Sequence, residues 1–414
     1  MAGMPRLRVG VVFGGRSGEH EVSLASAASV IGALEERGHT VVPIGIARNG
    51  RWVVGGDPLR ALASEARVAL PSNDADGAVK KALANRAEAA DSTSGQSLAR
   101  TEPAGSLPLE LRQGLDVVVI MLHGPYGEDG TIQGLFELAD VPYVGAGVLA
   151  SAVGMDKEMM KAVFQSHGLP IVEYLVVRRH EWQQAPERVG ARVAQTVGFP
   201  CFVKPVNLGS SVGISKVASS RELPAAIDLA ARHDRKIIIE RGIDAREIEV
   251  SVLGNEEPKA SLPGEISYNA EWYDYSTKYL EGQSRLTIPA PVSAETTRRL
   301  QELAVAAFRA IDCSGMARVD FFVERSTDRV VVNEINTIPG FTATSAEGRL
   351  VVDAAGVVAE RIGLRTTPVG FRVQDGRLVS ATTVPSRRYL SSILPTRVRL
   401  ERSPSPPRKE RVPV

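Results

Sequence analysis

Arg8-Val9-Gly10-Val11-Val12-Phe13-Gly14-Gly15-Arg16-Ser17-Gly18-Glu19-His20-Glu21-Val22-Ser23 decides how the first domain of this chain is read. A strand from Leu7 to Phe13 runs into a glycine turn, and Val22 to Leu34 then carries a helical pattern. A second strand, Thr40 to Ile46, follows Gly38. This β-turn-α-β order predicts an open, mostly parallel sheet. The apolar run Val117 to Leu122 rejoins that sheet and delivers His123 at its C-terminal edge, where open α/β sheets hold ligands.

Working outward, residues 1–149 form the first domain, with an insert near 61–108. Ala61 to Pro108 is rich in alanine, serine and charge, and is expected to be irregular or partly disordered. A central region, 150–242, opens with a helical pattern around Met155 to Gln165 and holds the strands Cys201–Lys204 and Ile237–Glu240. The third region, 243–365, alternates the strands Ile248–Leu253, Ala317–Val323 and Val330–Glu334 with a helix near Ala294–Ala310. Residues 366–414 lose this organisation, and their proline-rich, basic end (Ser403 to Arg411) is expected to be flexible.

Composition narrows the function classes. The 414 residues suffice for two or three domains, and 43% are hydrophobic, close to the globular average. With 49 basic against 48 acidic residues there is no general attraction to nucleic acid or acidic lipid. No apolar run is long enough for a membrane span, and no signal-peptide cleavage pattern follows the first strand. The two cysteines, Cys201 and Cys313, lack metal-site spacing and adjoin apolar residues, so buried thiols in a reducing cytoplasm are expected.

Three segments carry chemistry. Lys204-Pro205-Val206-Asn207-Leu208-Gly209-Ser210-Ser211-Val212-Gly213 ends a strand in a lysine and follows it with a loop of glycines and hydroxyls. Small residues there let backbone N–H groups approach phosphate oxygens, although an ordinary surface hairpin has the same composition. The spacing is not that of a P-loop. Arg318-Val319-Asp320 and Glu334-Ile335-Asn336 lie on two strands, and residues two apart on a strand share a face. Two carboxylates and an amide oxygen are hard ligands suited to magnesium bridging nucleotide phosphates; solvated strand ends are the plainer alternative. Arg318, with the backbone N–H of Gly340, makes a candidate oxyanion hole. Tyr273 to Tyr279, containing Lys278, is polar and aromatic and suits a loop closing over phosphates, or a structural hairpin. His123 also suits a turn-capping histidine, and Glu19 also suits a cap on the helix that follows it.

Together these segments resemble the ATP-grasp superfamily and, more narrowly, the D-alanine–D-alanine ligase family. The resemblance runs over about residues 7–345 through Gly14–Ser23, His123–Gly130, Met155-Asp156-Lys157, Lys204–Gly213, Tyr273–Tyr279, Arg318–Asp320 and Asn333–Gly340, in family order. It implies an N-terminal open parallel-sheet domain followed by a two-part ATP-grasp fold of mixed α/β and α+β class. It also implies roles: Glu19 for the first D-alanine's ammonium, joined by Ser210 and Tyr279; His123, supported by Glu128, for its carboxylate; and Ser345 for the second D-alanine. Lys157, Lys204, Ser211 and Lys278 fall to the ATP phosphates, Glu240, Arg241 and Ile243 to the adenine side, and Glu247 to the ribose. Asp320, Glu334 and Asn336 fall to magnesium (or manganese), and Arg318 and Gly340 to the oxyanion. Potassium as an activator and a homodimer belong to the same expectation. The implied product is D-alanyl-D-alanine for peptidoglycan synthesis, made through an acyl phosphate. D-lactate or D-serine as second substrate, a specialised peptide ligase, and a non-catalytic nucleotide-binding regulator are the alternatives. After Ser345 the run Ala346-Glu347-Gly348-Arg349-Leu350 departs from the bulky apolar residue and proline usual in the family.

Overall fold

The opening strand becomes β1 (Arg8–Gly14), and every residue after Arg8 is buried, as a strand covered on both faces requires. The structure is a computed structural model and describes residues 6–69, 99–103, 107–112, 114–209, 212–268 and 284–340, with 369–374 and 377–383 as backbone. β1 pairs in parallel with β2 (Thr40–Ile46) and β5 (Val117–Met121), and β6 (Tyr143–Val144) adds in parallel to β5. β3 (Trp52–Val54) and β4 (Arg100–Glu102) extend the far edge antiparallel, giving the order β4-β3-β2-β1-β5-β6. Helices α1 (His20–Glu36), α2 (Pro58–Ala69), α3 (Leu109–Arg112) and α4 (Thr131–Leu138) accompany this sheet.

One expectation for this domain is corrected. Ala61 to Pro108 is not irregular throughout, because α2 runs to Ala69 and β4 pairs with β3. Leu59, Leu62 and Ala63 are buried in the core of the first sheet, so tertiary packing fixes a helix whose composition looked loop-like. Residues 70–98 lie outside the described residues.

Helices α5 (Val148–Met155) and α6 (Lys157–Ser166) follow, where the sequence suggested one helix from Met155. Asp156 breaks the run with an extended backbone (φ −87°, ψ 98°), and its side chain accepts the N–H groups of Glu158 and Met159. The central sheet comprises β7 (Tyr174–Arg178), β8 (Cys201–Pro205), β9 (Ser215–Val217) and β10 (Lys236–Arg241), in antiparallel order β7-β10-β8-β9. Helices α7 (Arg179–Gln184), α8 (Pro186–Thr196) and α9 (Leu223–His233) lie with it. Cys201, Val203, Ile237 and Ile239 face its core, so by alternation Lys204 and Glu240 face the other way.

The third sheet contains β11 (Ala245–Gly254), β13 (Gly264–Tyr268), β14 (Ser284–Thr287), β15 (Gly315–Glu324) and β16 (Val330–Asn336), ordered β14-β13-β11-β15-β16 with β12 (Lys259–Ala260) on β11. Its covering helix, α10 (Ala294–Ala310), starts at Ser293, whose hydroxyl accepts the Thr296 N–H at 3.0 Å. Met160 and Phe164 of α6 join the same apolar cluster, so the helix that opens the central region packs on this third sheet.

β15 alternates strictly, with Ala317, Val319, Phe321 and Val323 buried. β16 does not. Asp320 stands opposite Glu334, but Phe321 stands opposite Val332, so Asn333 is an extra residue in the ladder. Unbroken alternation would send Val330, Val332, Glu334 and Asn336 to one face. The bulge instead keeps Val330, Val332 and Ile335 in the core while Glu334 and Asn336 share the face of Asp320 and Arg318.

Beyond residue 365 the backbone forms an antiparallel pair, β17 (Val369–Gln374) and β18 (Arg377–Thr383). This differs from the unorganised tail read from sequence; residues 384–414 lie outside the described residues. Among the described residues no helix is long and apolar enough to cross a membrane.

Candidate functional site

The C-terminal ends of β1 and β5 build one wall. Gly14 takes φ +91°, and a Cβ there would lie 2.3 Å from the carbonyl oxygen of Ile46, so glycine is required for the chain to leave the sheet. The Gly14 N–H donates to Ser23 Oγ at 2.7 Å, and that hydroxyl donates in turn to the Met121 carbonyl. Ser17 Oγ donates to the His123 carbonyl at 2.7 Å. The two sequence-predicted turns, Gly14–Glu19 and His123–Gly130, are thus stitched together. Glu19 stands at the N-cap position of α1 without a side-chain capping bond. Its carboxylate instead reaches toward Gly124 and Gly209, lying 2.8 Å and 3.4 Å from where their Cβ atoms would be.

His123 is buried, with Nε2 3.2 Å from Ser26 Oγ and Nδ1 3.0 Å from the Ile338 carbonyl. Glu128 supports the same turn, accepting the Gly124 N–H at 2.7 Å and the Ile338 N–H at 3.4 Å. Enclosure by protein pushes the Glu128 carboxyl up to about 8 and nearby Glu19 adds to this, against the pull of the two N–H donors and Arg318. The loop after β16 therefore docks through Ile338 onto the His123 turn, and Gly340, close behind it, comes nearest to Ser26.

Lysines gather along the next wall. Lys157, the first residue of α6, lies 2.9 Å from the Leu208 carbonyl and 3.4 Å from Glu334 Oε2. It joins the loop after β8 to the strand carrying Glu334. Lys204 Nζ lies 2.5 Å from Glu240 Oε2. Burial opposes charge on both groups, yet their mutual attraction prevails: Lys204 is raised, and Glu240, between Lys161 and Lys204, is held far below the usual carboxylate range. Asp234 clamps the loop's entry, accepting both the backbone and side-chain N–H of Asn207 at 2.9 Å. Glu247, on β11, stands opposite Phe322, and Arg241 is exposed, paired with Glu173 at 2.9 Å. Ile243 is half-buried in the link between the two sheets.

The third wall is the face of β15 and β16. Arg318 makes a two-pronged contact with Asp320, at 2.6 Å and 2.8 Å, and lies 3.5 Å from Glu249. Asn336 Nδ2 donates to Asp320 Oδ2 at 3.0 Å. Among the described residues no three His, Cys, Asp or Glu side chains converge as a metal cluster. The donor set is two carboxylates set opposite each other plus an amide. That set fits a hard divalent cation, because like charges so placed call for a cation, the part now taken by Arg318 and Lys157.

Ser210, Ser211, Lys278, Tyr279 and Ser345, with the run after Ser345, lie outside the described residues. The other predicted site residues line the three walls, Arg241 and Ile243 at their margin. Sequence reasoning missed Lys161, Ser26 and Asp234. Lys161 left one signal: it is four residues after Lys157 and so shares its helix face.

Comparison with known proteins agrees with this arrangement. A family model described as D-ala D-ala ligase N-terminus matches residues 8–146, and one described as D-ala D-ala ligase C-terminus matches 163–362. The chain is 48% identical to a D-alanine–D-alanine ligase from Heliobacterium modesticaldum, over 84% of this chain and 90% of that one. It is 49% identical to another from Pseudarthrobacter chlorophenolicus, over 83% and 89%. Among solved structures, the D-alanine-D-alanine ligase from Coxiella burnetii superposes with a TM-score of 0.65 at 35% identity, covering 85% of this chain and 90% of that one. The VanG D-Ala:D-Ser ligase from Enterococcus faecalis gives 0.64 at 33%, covering 82% and 93%. With the family models together spanning its first three sheets, this chain belongs to the D-alanine–D-alanine ligase family of the ATP-grasp superfamily.

Proposed function

We propose that the protein joins two D-alanine molecules at the expense of ATP, through an acyl phosphate. The observation that carries this reading is the docking of Ile338 on the His123 turn, with His123 Nδ1 3.0 Å from its carbonyl. It sets the wall of Glu19 and His123, whose chemistry suits a small zwitterion, beside a lysine-lined wall and an arginine–carboxylate wall. Glu19 would hold the first substrate's ammonium, and His123 its carboxylate. Lys157 and Lys204 would bind and orient the phosphates, and closure of the Tyr273–Tyr279 loop, with Lys278, would exclude water. Ser210 and Tyr279 would join Glu19 in that closed state. Asp320, Glu334 and Asn336 would hold magnesium, which supplies charge neutralisation at the transferred phosphoryl group. Arg318 and the Gly340 N–H would stabilise the tetrahedral oxyanion after attack by the second amine. For Arg318 this means leaving its present contact with Asp320.

A cytoplasmic site, a peptidoglycan role and a homodimer complete the reading. Exposed Leu138 and Leu149, on neighbouring helices, support self-association, which sedimentation would test. D-serine as second substrate is a second reading, favoured by the similarity to a solved D-Ala:D-Ser ligase. The deciding experiment measures phosphate release from ATP with D-alanine alone, then with D-lactate or D-serine added, identifying each product by mass. Dominant D-alanyl-D-alanine is the expected result. No phosphate release with any of the three would end the ligase reading.

A further inference from the structure

Lys161 has no surface exposure, although it lies on α6 one turn beyond Lys157. A lysine in such surroundings is retained only when its ammonium is well paired. Its Nζ lies 2.8 Å from Glu240 Oε1, 3.4 Å from the Asn333 carbonyl and 5.9 Å from the centre of the Tyr174 ring. These partners belong to β10, β16 and β7, so one ammonium spans the central and third sheets. Two of them matter for the site. The other oxygen of Glu240 holds Lys204 at 2.5 Å. Asn333 is the bulged residue immediately before Glu334, and a bulge leaves its extra residue outside the regular ladder.

We propose that Lys161 is a positioning residue coupling nucleotide and metal recognition. Through Glu240 it fixes where the Lys204 ammonium points. Through the Asn333 carbonyl it holds the bulge that turns Glu334 and Asn336 toward the site. Without it, Glu240 would close onto Lys204 alone, and that pair would present no net positive charge to a phosphate. The inference rests on the ATP-dependent reading above.

Substituting Lys161 alone would strand a buried carboxylate and so confuse folding with binding. The informative comparison is therefore Glu240→Gln, which keeps the Lys161 ammonium, against Lys161→Met/Glu240→Gln, which leaves neither charge at that spot. ATP affinity is measured by calorimetry, once in EDTA and once with magnesium chloride, alongside the melting temperature of the apo chain. The double variant is expected to melt at or above Glu240→Gln, because it no longer buries an unpaired ammonium. It should bind ATP about tenfold more weakly in EDTA, and gain less from magnesium than Glu240→Gln does. Equal affinities in both media would overturn the proposal, leaving Lys161 only a counter-charge for Glu240. Failure of the double variant to fold would also overturn it, because positioning of ligands leaves the apo chain stable. If the wild-type chain binds no ATP in either medium, the ATP-dependent reading falls and takes the inference with it; wild-type binding with no difference between the variants defeats the inference alone.

Discussion

Glu128 and Glu240 both hold their carboxylates inside the protein, and they are pushed in opposite directions. Around Glu128 the partners are main-chain N–H groups, and the charge that acts on it most is another carboxylate, Glu19; its carboxyl rises to about 8. Around Glu240 stand two ammonium groups, and its carboxyl falls far below the usual range. Burial alone would raise both, so the neighbours decide the sign. The lesson extends to their regions. The lysine wall carries its own counter-charges, whereas at the wall of Glu19 and Glu128 two carboxyl groups oppose each other's ionisation.

The strongest way to break this contrast is Glu240→Ala. It leaves Lys161 buried without its carboxylate, and should cost about 3–5 kcal/mol of stability by urea unfolding. A loss below about 1 kcal/mol would mean that water reaches Lys161 and that the wall is not self-neutralised. Next comes Arg318→Ala, at the junction of the two regions. It should slow turnover by about 2–4 kcal/mol of activation free energy while sparing ATP affinity. Weaker ATP binding with unchanged turnover at saturation would instead make Arg318 a nucleotide ligand.

A smaller effect sharpens the other side. Because the Glu128 carboxyl is raised on folding, the folded chain holds a proton that the unfolded chain releases above its ordinary value near 4.5. Stability is therefore unaffected below that value and declines as pH rises toward about 8. Glu128→Gln should escape the decline, so its stability advantage over wild type should widen by at least about 1 kcal/mol between pH 5 and 8. A constant difference across that range would show that the N–H donors outweigh enclosure. The smallest effect is expected from ending the chain after Arg365. The family model stops at residue 362, and neither glutamate has a described contact beyond residue 340, so melting temperature and phosphate release should change little. A fall of several degrees would place tail residues in the packed body.

Much of this was legible because the deciding features are local. A helix near Ala294–Ala310 is legible in the sequence, and α10 takes those bounds. The apolar runs of β1, β5, β8 and β10 likewise become the strands they suggest. What escaped depends on distant partners. β3 and β4 are three residues each and hold only because an existing sheet edge receives them. Helix α2 is set by packing against the first core rather than by its alanine-rich composition. Lys161 reads as an ordinary solvated lysine until Glu240, seventy-nine positions later, is folded against it. The Asn207–Asp234 clamp is hidden for the same reason, since Asn207 follows β8 and Asp234 lies between α9 and β10.

The bulge at Asn333 makes β16 respond unequally to a lost and to an added residue. Removing Asn333 would leave Val332 followed directly by Glu334, and plain alternation would then still send the valines inward and the carboxylate outward. A deletion, ordinarily the harshest lesion a strand can suffer, would here preserve orientation and cost only the carbonyl that Lys161 holds. Inserting one residue between Val332 and Asn333 would also restore plain alternation, but it would turn Asn333 toward the core and carry Glu334 from opposite Asp320 to opposite Arg318. Length variants on either side of Asn333 therefore separate what the strand needs for folding from what it needs for aim.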